Sequence, residues 1–337
     1  MNKKLNGVFI IPTGIDCKIG GDAAANIQVK IIASCCDNLI VNPNAVNASD
    51  LNDMSQNCLY VEGSHIDKFL NGEIGLKFTK TSNKILLLVN KPITPDSINA
   101  MNAARHVFGC QIEIVELETP LTMTVTFNPD RSASGIYSGV DELLEQIREY
   151  SFDALALHTP IFCEDDIKID YWANGGVNPW GAVEAITSKA IASKLMKPIA
   201  HGPLDLYSRL SSSLSNLYSK SIVDPSMAAE VISNTYMSCI FKGLSRAPKP
   251  VIYDEDLSNL DIDFMVTPIN CWGKAHEACL DNEILIIVVK ENTTIYPEMI
   301  YYESDKIVFV ETYLEAAGLI MALSQGIDPK IAIYGAI

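Results

Sequence analysis

Short apolar, β-branched runs alternate along the whole chain with segments whose apolar residues recur at helical spacing. Residues 8–11 (Val-Phe-Ile-Ile) predict a strand, 22–33 a helix and 38–41 the next strand, which together make a strand–helix–strand unit. A second unit runs from the apolar run 84–89, through a helix starting near Pro95 and stopping at Gly109, to a strand over 111–115. A helix over 140–149 then leads into a strand over 154–158. Beyond it come a helix opened by Asn178-Pro179, a short strand over 198–201 and a helix opened by Asp224-Pro225. Both openings put a capping side chain before a proline at the first helical position. The C-terminal part gives strands over 264–266, 284–289 and 307–310 and a last helix over 313–324, ended by Gly326. The pattern predicts an α/β fold with a twisted, mainly parallel sheet flanked by helices. The polar, glycine-punctuated region 130–139 is the best place to divide it into two subdomains, 1–135 and 136–337, while the serine-rich stretch 208–221 predicts a mobile loop.

Charge narrows the partners. Of 337 residues, 25 are Lys or Arg and 41 Asp or Glu, a net charge of −16, so a nucleic-acid backbone or an anionic membrane would be repelled. With 48% hydrophobic and 20% charged residues the chain has material for a core and is not disordered. Its longest apolar runs, 85–89 and 284–289, are of strand length and fall far short of the ~20 residues that span a bilayer. Lys3 and Lys4 precede an apolar stretch broken by Pro12 and Gly14 with no cleavage site, which predicts a cytoplasmic protein. The 9 cysteines lack C-x-x-C spacing; this argues against a zinc ribbon or redox motif and for a reducing compartment.

In open α/β sheets, ligands bind beyond the carboxyl ends of the strands, so polar residues just after predicted strands carry the search. Thr13 follows the first strand, Asn42 and Asn44 the second, Glu62 the run 59–61, and His158 and His201 end strands of their own. Asn270 follows the run 266–269, and Asn292 with Thr293 the run ending near Lys290. Each alone also reads as an ordinary wet loop residue; several converging would make a site. Gly14, Gly20, Gly21 and Asp22 lie in a glycine-rich loop ahead of a predicted helix, where free N–H groups and the helix dipole favour a phosphate or carboxylate. The loop matches neither the Walker nor the G-x-G-x-x-G pattern. Asp22 as an N-cap would fill the same donors, so a structural turn and a ligand loop both stand.

His201, exposed by the following Gly202-Pro203, is the strongest acid–base candidate; a loop histidine bonded to a carbonyl is the plainer alternative. His65, His106 and His276 read as surface residues, and no H-E-x-x-H spacing supports zinc, although carboxylates and asparagines can hold Mg²⁺. Glu184 stands among Ala182, Val183, Ala185 and Ile186, either as a half-buried carboxylate of raised pKa or as one facing solvent. Thr312-x-x-Glu315 is a capping box, or Glu315 is a buried acid on a last helix apolar on nearly every side. Ser245-Arg246 ends a helix before Pro248, where a guanidinium clamps an anion or merely meets the helix dipole. Cys271 is the one cysteine in a site-like loop.

Ile11-Pro12-Thr13-Gly14 with Ile19-Gly20-Gly21-Asp22, Asn42-Pro43-Asn44 with Asn47, and Tyr60-Val61-Glu62-Gly63 together resemble motifs of a bacterial and plastid family called domain of unknown function 3326. The segments 243–248, Glu291-Asn292-Thr293-Thr294 and 313–318 extend the resemblance over nearly the whole chain. It implies a soluble single-chain module and says little about substrate. The chain departs from the family's pattern at Asn42, where relatives resemble Thr-His-Pro-Asn, and at Gly202, where alanine is commoner. A metal or general-base role for that histidine is not available here.

These residues predict an enzyme doing acid–base chemistry (hydrolase, lyase or isomerase) on a small polar metabolite bearing a carboxylate or phosphate. His201, Glu184 and Glu62 are the proton carriers. Thr13, Gly14, Gly20, Gly21, Asp22, Ser245 and Arg246 are the anion grip, and Asn44, Asn47, Asn270, Asn292, Thr293 and Glu315 the orienting groups. The rivals are a non-catalytic module whose glycine-rich loop holds a nucleotide or phosphorylated metabolite, and an assembly partner with a large exposed apolar patch. No cofactor is predicted, and a homo-oligomer is the expectation from base rates.

Overall fold

The computed structural model describes residues 5–20, 25–47, 54–204, 236–298, 301, 303–328 and 330–331. The chain opens with β1 (Asn6–Phe9), α1 (Asn26–Ala33), β2 (Asn38–Val41), α2 (Pro43–Val46), β3 (Cys58–Tyr60) and α3 (Gly63–Leu70). Next come β4 (Gly75–Lys77), β5 (Lys84–Asn90), α4 (Pro95–Phe108), β6 (Gln111–Leu117), β7 (Thr122–Phe127) and β8 (Ala133–Ser138). They are followed by α5 (Val140–Gln146), β9 (Ala154–His158), α6 (Asp165–Asn174), α7 (Pro179–Leu195) and β10 (Ile199–His201). The C-terminal part carries α8 (Ser238–Arg246), β11 (Lys249–Val251), β12 (Phe264–Pro268), α9 (Lys274–Asp281), β13 (Leu285–Val289), β14 (Ile307–Val310) and α10 (Tyr313–Ser324).

Two parallel sheets result, one of 6 strands in the order β14-β13-β12-β1-β2-β3 and one of 4 in the order β10-β9-β5-β6. The α/β fold with mainly parallel sheets flanked by helices is therefore present. Both sheets take strands from either side of residue 135, which lies within β8. Successive side chains of a strand point to opposite faces: Val8 and Phe9 of β1, and Leu86 and Leu87 of β5, enter different cores. Phe9, Val41 and Tyr60 of the larger sheet share one continuous core with Leu87 and Ala156 of the smaller, closed by Phe241 and Leu244 of α8.

Capping chemistry sets the helix ends. Thr94 accepts from Ser97 N ahead of Pro95, and Gly109 ends α4 at φ 68°; Asn178 accepts from the backbone N–H groups of Trp180 and Gly181 at the start of α7. α1 starts at Asn26, with Ala25 in the cap position and no side-chain cap, so Asp22 is not its N-cap; the helix opens later than its apolar pattern predicts. α10 is buried on one side only, with Leu314 at 69% and Met321 at 45% exposure: Tyr313, Ala316 and Ile320 enter the core shared by the two sheets, with α1 as the helical neighbour. Among the described residues no helix is long and apolar enough to cross a membrane. The serine-rich stretch and the helix expected at Asp224-Pro225 lie outside the described residues.

Candidate acid–base site

His201 is the last residue of β10, and Glu184 lies in the second turn of α7, which packs beside that strand. His201 Nδ1 is 2.7 Å from Glu184 Oε1, so the two proton carriers expected from sequence are a pair. On the other side of the ring, Nε2 is 3.0 Å from Thr159 Oγ1 and 3.1 Å from Thr159 O. The same carbonyl also accepts from Leu204 N. The imidazole is thus bonded at both nitrogens and its side chain is 1% exposed, against 21% for Glu184. Thr159, His201 and Glu184 stand in the order and at the distances of a nucleophile–base–acid relay. Thr159 is fully buried, however, so no carbonyl carbon can reach its hydroxyl. The open face of the group belongs to Glu184.

Gly181 lies one helical turn before Glu184, and a Cβ there would collide with Thr13 Oγ1. Glycine at this position lets the loop after β1 come down onto α7. The next residue, Gly14, lies against Ala182 and accepts from Ala133 N at 2.8 Å. Tyr60, at the end of β3, presses on Gly243 of α8, where a Cβ would stand 2.8 Å from its ring. Its hydroxyl accepts from Asn47 Nδ2 at 2.9 Å. Burial holds the Tyr60 phenol well above its ordinary pKa, with Cys239 and the Glu184 carboxylate raising it further. It is an O–H group throughout the physiological range.

Several expected ligand groups are instead used to build the loop after β1. Asn42 Oδ1 accepts from Ile11 N and its Nδ2 donates to Ile11 O, both at 2.9 Å. Asn44 Nδ2 donates to the carbonyls of Ile11 and Pro12. Asn292, fully buried, accepts from Ile19 N at 2.8 Å and donates to Ile19 O and Tyr313 Oη, each at 2.7 Å. Thr293 is exposed and offers its carbonyl to Lys18 N. Asn270, at φ 58°, donates to the carbonyls of Tyr296 and Pro297. Gly20 is buried against Ile11, while Gly21 and Asp22 lie outside the described residues.

Other candidates lie elsewhere. Ser245 O accepts from Asn83 N just ahead of β5, and Arg246 Nη2 reaches Met54 O beside the start of β3. Both sit at the amino ends of the strands, away from His201. Glu62 caps α3, accepting from Ser64 N at 2.8 Å, from the Ser64 hydroxyl and from His65 N; burial raises its carboxyl pKa and these bonds oppose the rise. Glu315 is exposed and accepts from Glu311 N at 2.6 Å, while Thr312 Oγ1 accepts from Glu315 N, so half of the expected capping box is shifted by one residue. His65 and His276 are not surface residues: both are buried, and burial lowers each to a pKa of about 4. The Cys271 thiol is buried and pushed up to about 11, the opposite of an activated nucleophile. All nine cysteines are free thiols. Among the described residues, no three His, Cys, Asp or Glu side chains are grouped to hold a metal ion.

Sequence reasoning missed Thr159 and Gly181 as parts of this cluster. Thr159 follows directly on the strand ending at His158, and that position was the available signal. Gly181 is brought in by the packing of the loop after β1 on α7, which single-sequence patterning does not report.

The family model described as "Protein of unknown function (DUF3326)" matches residues 6–332. An uncharacterized lipoprotein of Synechococcus sp. is 29% identical over 348 residues, covering 98% of this chain and 93% of that protein. No solved structure matches the chain. With a match over nearly its whole length, the chain belongs to the DUF3326 family.

Proposed function

We propose that this protein is an enzyme that carries out acid–base chemistry on a small polar metabolite bearing a carboxylate or phosphate. The contact between His201 Nδ1 and Glu184 Oε1 carries this reading. A partly exposed carboxylate held by an imidazole at the carboxyl end of a parallel strand is placed to take and return a proton. Glu184 is the catalytic residue and His201 a positioning residue that steadies it and shares its charge. The anionic end of the substrate falls to the loop after β1, whose backbone is fixed at Ile11, Pro12 and Ile19 by Asn42, Asn44 and Asn292, and not to Arg246. Hydrolysis, elimination and isomerisation all use such a proton transfer. The nine free thiols favour a reducing, cytoplasmic setting, although the Synechococcus relative bears the name lipoprotein; cell fractionation separates the two.

One observation favours a second reading. The larger sheet reverses its order at β1, with β2 and β3 to one side and β12 to β14 to the other. A glycine-rich loop after the strand at such a switch point is where nucleotides bind in doubly wound folds. Saturable nucleotide binding without consumption supports that module.

The test is consumption of a mixture of hydroxy acids, keto acids and sugar phosphates, followed by proton and phosphorus NMR. The wild type is expected to consume one component, and Glu184→Gln to do so at least about a hundredfold more slowly. Equal consumption by the variant contradicts the assignment.

A further inference from the structure

β7 and β8 form an antiparallel ribbon that lies on α7, with Gly135 against Val183. β7 uses both of its edges. Val125 N donates to Phe162 O at 2.9 Å and Phe162 N to Met123 O at 2.8 Å, so the odd-numbered residues of β7 face the Phe162 segment and the even-numbered ones face β8. Thr124 is paired with Ile136, so the even-numbered residues of β8 bond β7 and the peptide groups of Ala133, Gly135 and Tyr137 point to the far side. Ala133 N donates there to Gly14 O at 2.8 Å, which fixes the direction and closes the edge at its first residue. Beyond it, among the described residues, β8 pairs with no second strand, so the peptide groups of Gly135 and Tyr137 have no strand partner. Edge strands are usually blunted by lysine, proline or a bulge. Ser134-Gly135-Ile136-Tyr137-Ser138 has none of these, and its register with β7 runs without a break. It is also accessible, with Ile136 at 64% and Tyr137 at 40% exposure.

We infer that a second copy of this chain docks on the open edge, β8 pairing antiparallel with β8 of the other copy about a two-fold axis at Ile136. In that register Gly135 of each copy stands opposite Tyr137 of the other and exchanges both backbone hydrogen bonds with it. The strand suits its own reverse: a large residue, Tyr137, meets a small one, Gly135, while Ile136 meets Ile136 and Ser134 meets Ser138. Charge selects the same segment. A chain of net charge −16 approaches its copy best where carboxylates are absent, and residues 132–140 carry no charge. Just past the ends of the paired strands, the register sets the exposed Arg131 of one copy toward Asp141 of the other, a carboxylate that is 82% exposed. The inference is independent of the acid–base reading, since neither His201 nor Glu184 takes part in the pairing.

Sedimentation equilibrium of the full chain over a dilution series tests this. Wild type is expected to pass from the mass of one chain to that of two as its concentration rises. Ile136→Lys, at an exposed position, sets like charges against each other on the axis and should weaken the dimer at least about tenfold. Ile136→Glu should do the same, and mixing the two variants should restore the dimer, because opposite substitutions pair only at a position that faces itself. Tyr137→Pro removes an N–H that has no strand partner within the chain and should also weaken the dimer at least about tenfold. Unchanged thermal unfolding of Ile136→Lys shows that the fold is kept; if Tyr137→Pro fails to fold, the exchange between the Ile136 variants still decides. A chain that stays single at every concentration, a dimer indifferent to Ile136→Lys, or Lys and Glu variants that do not rescue each other overturns the inference.

Discussion

His201 reaches Glu184 through Nδ1 at 2.7 Å while its Nε2 faces the carbonyl and hydroxyl of Thr159. One residue ends an edge strand and the other lies on a neighbouring helix, so the contact exists only when the smaller sheet and α7 are packed together. The pair also has a built-in direction: the histidine is sealed and the glutamate open.

Removing the acceptor from this pair costs stability in a graded way. Glu184→Gln keeps an oxygen for Nδ1–H and should be within about 1 kcal/mol of wild type, whereas Glu184→Ala strands a buried donor and should lose about 1–3 kcal/mol. Urea denaturation of the two variants measures the difference, and equal losses would mean that the hydrogen bond contributes nothing.

The approach of Thr13 to Gly181 predicts a compensating pair. Gly181→Ala drives a methyl group into Thr13 Oγ1 and should destabilise by about 1–3 kcal/mol through overpacking. In a Thr13→Ala background the nearest remaining Thr13 atom would be the Cβ, 3.3 Å away, and most of the loss should be recovered. A double-mutant cycle on thermal unfolding reads the coupling; additive effects would contradict the contact.

Asn292 is predicted to matter for loop order more than for ligand contact. Asn292→Ala deletes the three hydrogen bonds that the buried Asn292 side chain makes to Ile19 and Tyr313 and should cost about 3 kcal/mol. Hydrogen exchange at the Ile19 amide should quicken well beyond that of core strands. Unchanged protection there would remove the clamp from the account.

Acid stability follows from His65 and His276. Each is pushed down from 6.5 to about 4, chiefly by burial, so the unfolded chain binds protons that the folded chain refuses. Their contribution is therefore fully present above 6.5 and is lost as pH falls from 6.5 toward about 4. Denaturation midpoints across that window should fall with pH, and the double variant His65→Gln with His276→Gln should flatten the slope. An unaltered slope would show that other groups set it.

The strands and most helices were legible because apolar periodicity and capping are local. The runs 38–41, 84–89 and 307–310, and Thr94, Pro95 and Gly109 around α4, stand where the pattern puts them. Glu184 and His201 were legible as individuals, but their contact depends on tertiary packing across 17 residues of chain. The sequence misleads where a polar residue after a strand serves the backbone: Asn42, Asn44 and Asn292 look like ligand groups and hold loop peptide groups instead. His65 and His276 read as surface residues because histidine carries no burial signal of its own. Only the folded chain shows their partners, Ala192 O and Thr267 Oγ1.

The most direct measurement is solvent-deuterium incorporation into a pool of hydroxy acids, keto acids and sugar phosphates incubated with the protein in D₂O, for wild type and Glu184→Gln side by side. Wild type is expected to label at least one component at an exchangeable carbon, and the variant to label it at least about a hundredfold more slowly. Labelling at the same rate in both proteins would contradict a proton-carrying role for Glu184.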